Sequence, residues 1–267
     1  MITVVARLLG LALAFAAHSL PGAAAQPQTP DAVARLVDTR DTGRDSRVEM
    51  TMRLFDRQGR ARERSLTVST LRGAGEKGDR VLVRFSAPND IRGTGFLVWE
   101  DPKAEDERFL YLPALGRVRR IAGAETQESF VGSDLTYEDI GGRELDDYSY
   151  SFAPGDPSWT DPGGQTHQVW RLESRARSSD AAYPRVVSVV RRDHAIVVAA
   201  EVFNTRNEAE KVYTVRHWRA IDGIWTAIEV VMENRLQRTR TELVVNSARY
   251  NIGLTDAAFS RRALETP

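Results

Sequence analysis

A succession of short runs rich in β-branched and aromatic residues, broken at intervals of about ten to fifteen residues by turn chemistry, constrains this chain more than any other feature. Ser46–Asp56 and Ala61–Leu71 flank Arg57-Gln58-Gly59-Arg60, whose composition is that of a hairpin turn. In Arg80–Phe85, Val81, Val83 and Phe85 take one face while Arg80 and Arg84 take the other, the alternation of a half-buried strand. Gly95–Glu100, Arg108–Leu112, Arg117–Ile121 and Tyr148–Phe152 continue the pattern. Gln168–Arg175, Arg185–Arg192, Ala195–Phe203, Lys211–Ala220, Trp225–Glu233 and Thr239–Tyr250 follow in close order. With turns as tight as Asp222-Gly223 between them, the runs read as one continuous antiparallel meander.

Helical cover is scarce. Asp31 caps a predicted helix from Ala32 to about Thr39, with Val33, Leu36 and Val37 on one face and Gly43 as its stop. The other helical candidates are Gly123–Phe130 and Thr255–Phe259. Several strands carry large apolar groups on both faces: Phe96 and Val98 against Leu97 and Trp99, and Phe109 and Tyr111 against Leu110 and Leu112. Periodicity alone reads as a packed barrel core. Pro154–Gly164 is a surface loop and the one candidate boundary, and neither side of it has helices enough to cover a sheet by itself.

Residues 1–25 read as a secretory signal peptide. Arg7 precedes the apolar Leu8–Ala17, and Ala23-Ala24-Ala25 stands ahead of the polar Gln26-Pro27-Gln28. That apolar run is far short of the roughly 20 residues needed to span a bilayer as a helix. Cleavage after Ala25 leaves a single domain over residues 26–267 and points to a bacterial periplasm. Among the 267 residues there is no cysteine, which excludes disulfide scaffolds, thiolate metal sites and a lipid anchor on an N-terminal cysteine. With 37 basic and 37 acidic residues the chain is not a strongly basic nucleic-acid binder.

Few motifs suggest catalysis. Gly73-Ala74-Gly75-Glu76-Lys77-Gly78 matches G-x-G-x-x-G, yet a strand follows where a dinucleotide site needs a helix. His167, His194 and His217 stand at no metal spacing, and no G-x-S-x-G elbow occurs. Asp134, Glu138 and Asp139 share a glycine-punctuated stretch, Ala122–Gly142. They read either as a carboxylate pair for cation or acid–base work, the basis of a hydrolase, or as loop residues bonding backbone N–H groups, and the latter reading is adopted. Arg117, Arg119 and Arg120 form a basic cluster suited to an anion or to a partner. No catalytic residue, metal or cofactor is expected.

Three linked segments carry a family resemblance: Phe85–Leu97 (FSAPNDIRGTGFL), Tyr111–Ile121 (YLPALGRVRRI) and Ser129–Asp139 (SFVGSDLTYED). Together they resemble the bacterial outer membrane lipoprotein-sorting proteins, related in fold to the Lol carriers (LolA/LolB-like). The resemblance implies a mainly β fold with a few short helices, in which a strongly curved antiparallel sheet forms an unclosed β-barrel capped by helices around an apolar cavity. It implies a non-enzymatic periplasmic binding or carrier protein for a lipid or acylated hydrophobic ligand, in peripheral contact with membranes. The alternative is an adaptor or sensor docking on an envelope transporter of the resistance-nodulation-division (RND) type, without lipid. Neither reading involves nucleic acid. Phe85, Phe96, Val98, Tyr111, Phe130, Trp218 and Trp225 are the expected cavity-lining residues, with Phe130 plugging the mouth. Gly132, Ser133, Asp134 and Asp139 are expected to fix a lid loop. No residue of this sequence matches the basic side chain that lipoprotein carriers hold inside the cavity.

Overall fold

The computed structural model describes residues 29–74, 77–142, 145–181 and 183–265; the expected signal peptide lies outside the described residues. The first element is helix α1 (Pro30–Asp38). Its cap is Thr29 rather than Asp31: Ala32 N donates to Thr29 Oγ1 at 3.2 Å, and Pro30 takes the first position, where its missing N–H is not needed. Asp31 falls in the first turn, where a carboxylate meets the positive end of the helix dipole. Gly43 lies beyond the helix, which stops at the Thr39 C-cap.

The strands form one antiparallel, unclosed sheet of 14 strands. One arm holds β1 (Asp45–Phe55), β2 (Ala61–Leu71), β3 (Arg80–Ala87), β4 (Gly95–Trp99), β5 (Glu107–Leu112) and β6 (Arg117–Ile121). The other holds β7 (Tyr148–Phe152), β8 (Ser158–Thr160), β9 (Thr166–Ala176) and β10 (Arg185–Arg191). It continues through β11 (Val197–Phe203), β12 (Ala209–Ile221), β13 (Ile224–Asn234) and β14 (Thr239–Tyr250). The order is β6-β5-β4-β3-β2-β1-β14-β13-β12-β11-β10-β9-β7, with β8 beside β9.

Two features depart from the sequence reading. The strands form two meanders, not one, joined where the last strand returns to the first and Ser46 faces Tyr250. And Pro154–Gly164 is not all loop. Its prolines and glycines bracket Ser158–Thr160, which pair with β9 because Trp159 finds an apolar cluster to pack on.

This order has a consequence for the site. β6 and β7 are the two ends of the strand path, yet they are consecutive in the chain. The connection between them must cross from one edge to the other, and its described residues, 122–142 and 145–147, carry Phe130, Leu135, Tyr137 and Ile140 over the concave side. Within it lie single turns at Gly123–Gln127 and Phe130–Gly132 and the short helix α2 (Tyr137–Gly141).

Period-two alternation sorts the core between the two faces. Met52, Leu66, Val68, Val83, Phe85, Phe96 and Val98 face the concave side and meet Phe130, Leu135, Tyr137 and Ile140 of the crossing segment. Leu97 and Phe109 face outward, under Phe259 and Leu264 of the C-terminal turn and helix α3 (Arg261–Glu265). Gly95 makes that cover tight: a Cβ there would stand 2.6 Å from Leu264 Cδ1. A second outer cluster gathers Val169, Val189, Ile196 and Val198. Each such side chain contributes about 1.5–3 kcal/mol on full burial. Among the described residues, no helix is long and apolar enough to cross a membrane.

Candidate functional site

Beneath the crossing segment the concave face holds unfilled apolar space. The larger void, about 90 Å³, is walled by Val48, Met50, Val68, Val230, Leu243 and Val245, with Trp225 and Ile140 closing its sides. A smaller void of about 20 Å³ lies under Phe130, Leu135 and Ile140, against Met52, Leu66 and Val83. Met50, Val68, Ile140 and Leu243 line both, so the two are neighbours along the strands.

One end of the larger void is polar. Arg40, Thr42, Thr70, Thr226 and Tyr250 meet there. Arg40 Nη1 donates to the Trp225 carbonyl at 3.1 Å, and the Thr226 and Tyr250 hydroxyls stand 2.7 Å apart. Burial of Arg40 pulls its guanidinium down to about 10, against the opposing influence of Tyr250 and Tyr213. Burial also pushes the Tyr213 phenol up to about 12. This floor is a basic, hydroxyl-rich patch in an otherwise greasy wall.

The crossing segment covers the smaller void. Phe130 is wholly buried, its ring centroid 5.9 Å from Phe85, 5.5 Å from Phe96 and 5.5 Å, edge-on, from Tyr137. The next residue, Val131, sits at φ 51°, a left-handed conformation that a β-branched side chain resists. Arg64 Nη1 donates to the Val131 carbonyl at 2.6 Å and helps to hold it there. Gly132 follows at φ 76°, where the missing Cβ removes the strain. Ser129 Oγ donates to Ser133 O at 2.6 Å and Ser133 Oγ to Phe130 O at 2.8 Å, closing the turn on itself.

A buried polar chain then ties the segment to the sheet. The Asp134 carboxylate accepts from Thr239 and, at 2.7 Å, from Thr241. Lys211 Nζ donates to the Asp134 carbonyl and to the Tyr183 hydroxyl, both at 2.7 Å, and Tyr183 donates onward to Asp139 at 3.1 Å. Asp139 and Thr136 form a reciprocal capping box at the start of α2. Both carboxylates are occupied by hydrogen bonds within the fold, which is the geometry of a latch and not of a general acid and base. Among the described residues, no three His, Asp or Glu side chains gather as a metal site.

Of the seven residues expected on the cavity wall, Trp225 stands there. Phe85, Phe96 and Val98 are packed into the concave core, and Phe130 covers the smaller void as part of the closing segment. Tyr111 is on the opposite face: Gly95 pairs with Tyr111 and Phe96 with Leu110, so alternation turns Tyr111 outward with Phe109. Trp218 follows breaks in register in β12 and packs 6.0 Å from Trp159 and 5.5 Å from His167. Arg117, Arg119 and Arg120 lie on edge strand β6, where Arg119 pairs with Glu125 at 2.9 Å and Arg117 and Arg120 are exposed.

Sequence reasoning missed Arg40, Tyr183 and Lys211. Arg40 and Tyr183 carry no local signal, standing alone in connecting segments. Lys211 does: it shares the inward alternation of Tyr213 and Val215, a charge in an apolar stripe.

A family model described as that of an uncharacterized protein matches residues 77–266. No curated protein matches the chain. A DUF1329 family protein from Desulfovibrio piger has a similar structure, with TM-score 0.79 and 30% identity over 88% of this chain and 97% of that one. A domain designated as an outer membrane lipoprotein-sorting protein, from Vibrio parahaemolyticus, has TM-score 0.79 and 27% identity over the same shares. A LolA superfamily protein from Nitrosomonas europaea shares the fold at TM-score 0.65 and 14% identity, over 89% of this chain and 100% of that one. Half-barrel, crossing segment and relatives agree: the chain belongs to the DUF1329 family and has the fold of the outer membrane lipoprotein-sorting, LolA superfamily proteins.

Proposed function

We propose that this protein is a periplasmic carrier for a lipid or acylated ligand, exported by the signal peptide at residues 1–25, and that the ligand's acyl chain lies along the concave face beneath residues 129–141 of the crossing segment. One observation carries the reading: three side chains of the crossing segment, Phe130, Leu135 and Ile140, stand inside the apolar interior, in the space a chain would take. As closed, about 90 Å³ is well below the roughly 300–1,000 Å³ of ligand pockets, so loading requires the segment to swing out. The likeness to proteins named for lipoprotein sorting supports a carrier. Mass spectrometry of organic extracts from the purified protein, with uptake of a fluorescent fatty acid, tests it. Clean extracts and no uptake overturn it.

The filled interior favours one second reading, an adaptor that docks on an RND-type transporter without lipid. Crosslinking in cells separates the two: the adaptor gives a stable membrane-protein complex and no bound lipid.

A further inference from the structure

The concave face changes character along its strands in one direction. On β2 the residues of one face are Arg62, Arg64, Leu66, Val68 and Thr70, and Arg60 precedes them in the same alternation. Across on β1 the five from Arg62 to Thr70 face Leu54, Met52, Met50, Val48 and Ser46 in turn. Val68 and Thr70 wall the larger void, Leu66 the smaller one, and Arg60, Arg62 and Arg64 a third space of about 620 Å³ outside Phe130. The three spaces therefore stand in file: polar floor, apolar channel, then a groove lined by three arginines. At about 3.3 Å per residue, Arg62 and Thr70 are about 26 Å apart.

Between channel and groove stands the closing segment. Phe130 and Leu135 face the channel, while Ser129, Gly132, Ser133 and Asp134 face the groove. Arg64 touches both sides, its guanidinium 5.9 Å from the Phe85 ring and bonded to Val131 O. The groove also carries two carboxylates. Asp56 is engaged by Arg60 at 2.7 Å, and Asp134 by Thr239 and Thr241. Arg62 is exposed, and its guanidinium offers the planar fork that suits phosphate and carboxylate oxygens.

Resting on the carrier reading, we infer that the groove of Arg60, Arg62 and Arg64 is a headgroup site and that the ligand is an anionic single-chain amphiphile. Its phosphate or carboxylate lies on Arg62 and Arg64 while its chain replaces Phe130 in the channel. The shared chemistry is an oxyanion, which a free phosphate could also supply.

The test is competition against a bound fluorescent fatty acid. Tetradecyl phosphate is expected to displace the probe at concentrations at least tenfold below those of tetradecanol, which has the same chain and no charge. Arg62→Gln, an exposed position away from the latch, is expected to reduce that advantage severalfold with tetradecanol unchanged, and Arg62→Gln/Arg64→Gln to abolish it. Equal displacement by both compounds, or an advantage that survives the double variant, overturns the headgroup site and leaves the carrier standing. Glycerol phosphate, titrated by calorimetry without a chain, forms the second arm. Its binding with no probe uptake sinks the carrier and the amphiphile together and assigns the arginines to a free anion; neither binding nor uptake sinks both proposals.

Discussion

Phe130→Ala distinguishes a movable lid from a fixed piece of core. The ring is wholly buried and meets Phe85, Phe96 and Tyr137. Truncating a buried phenylalanine costs about 3–5 kcal/mol, of which each ring–ring contact supplies about 0.5–1.5 kcal/mol. Where that loss appears decides the question. A segment that opens as its own unit loses the energy locally, while unfolding of the sheet moves much less. At tenfold per 1.4 kcal/mol, amide exchange at residues 129–141 then accelerates by about a hundred- to several-thousandfold. Useful reporters are Phe130 N, bonded to Leu135 O at 2.7 Å, and Asp139 N, bonded to Thr136 Oγ1 at 3.1 Å. Uptake of a fluorescent fatty acid should quicken in parallel. The reasoning fails if the whole loss appears in the urea midpoint, the lid amides exchange only through global unfolding and uptake is unchanged.

Three further outcomes are expected. Arg40→Met should move the thermal midpoint little, because relief of the desolvation that pulls its guanidinium down offsets the unbonded Trp225 carbonyl, a loss of about 1–3 kcal/mol; a clear fall in thermal midpoint would show that the contact with Trp225 O governs instead. Burial alone would raise the Asp45 carboxyl, but hydrogen bonds from Arg44 and from the Leu254, Ile252 and Gly253 backbone overcome it and hold the group below the usual carboxylate range. Its stabilising effect is therefore complete above the unfolded value of about 3.9 and lost as pH falls through the folded one, so Asp45→Asn should flatten that part of the acid-unfolding curve. Gly95→Ala forces a methyl into Leu264, which should cost about 1–3 kcal/mol and speed proteolysis of the C-terminal segment.

The faces of individual strands were legible in the sequence, and their pairing was not. Alternation alone separates Phe96 and Val98 from Leu97 and Trp99, and the structure divides them the same way. Tyr111 was expected inside because the register of β4 on β5 follows from how the turn between them closes, which no single run encodes. The return of β14 to β1 is likewise hidden, since it joins residues about two hundred positions apart. At the site, glycine punctuation and a break in strand rhythm mark residues 122–142 as special, and the three linked motifs place them in a family. Nothing local announces that Arg40 floors a cavity or that Lys211 and Tyr183 reach Asp134 and Asp139, because those partners meet only once the sheet has curved.

A packed interior and a carrier role are compatible on energetic grounds. An acyl chain gains about 0.8 kcal/mol for each CH₂ removed from water, but a chain leaving a bilayer for an apolar channel exchanges one dry surrounding for another. Burial of the tail therefore protects the ligand in transit without driving its extraction. An empty, permanently open half-barrel would expose a continuous apolar surface of the kind that aggregates. Filling it with Phe130, Leu135 and Ile140 removes that hazard and sets a loading cost, the free energy of opening, which lowers the apparent affinity by the fraction of molecules open. With the tail nearly neutral and the lid opposing, the balance of loading falls to contacts outside the channel. Those contacts are the groove arginines, of which Arg62 does not hold the lid: Arg62→Gln should favour release, and Phe130→Ala, which loosens the lid, should favour loading, so the two substitutions are expected to act in opposite directions on the same equilibrium.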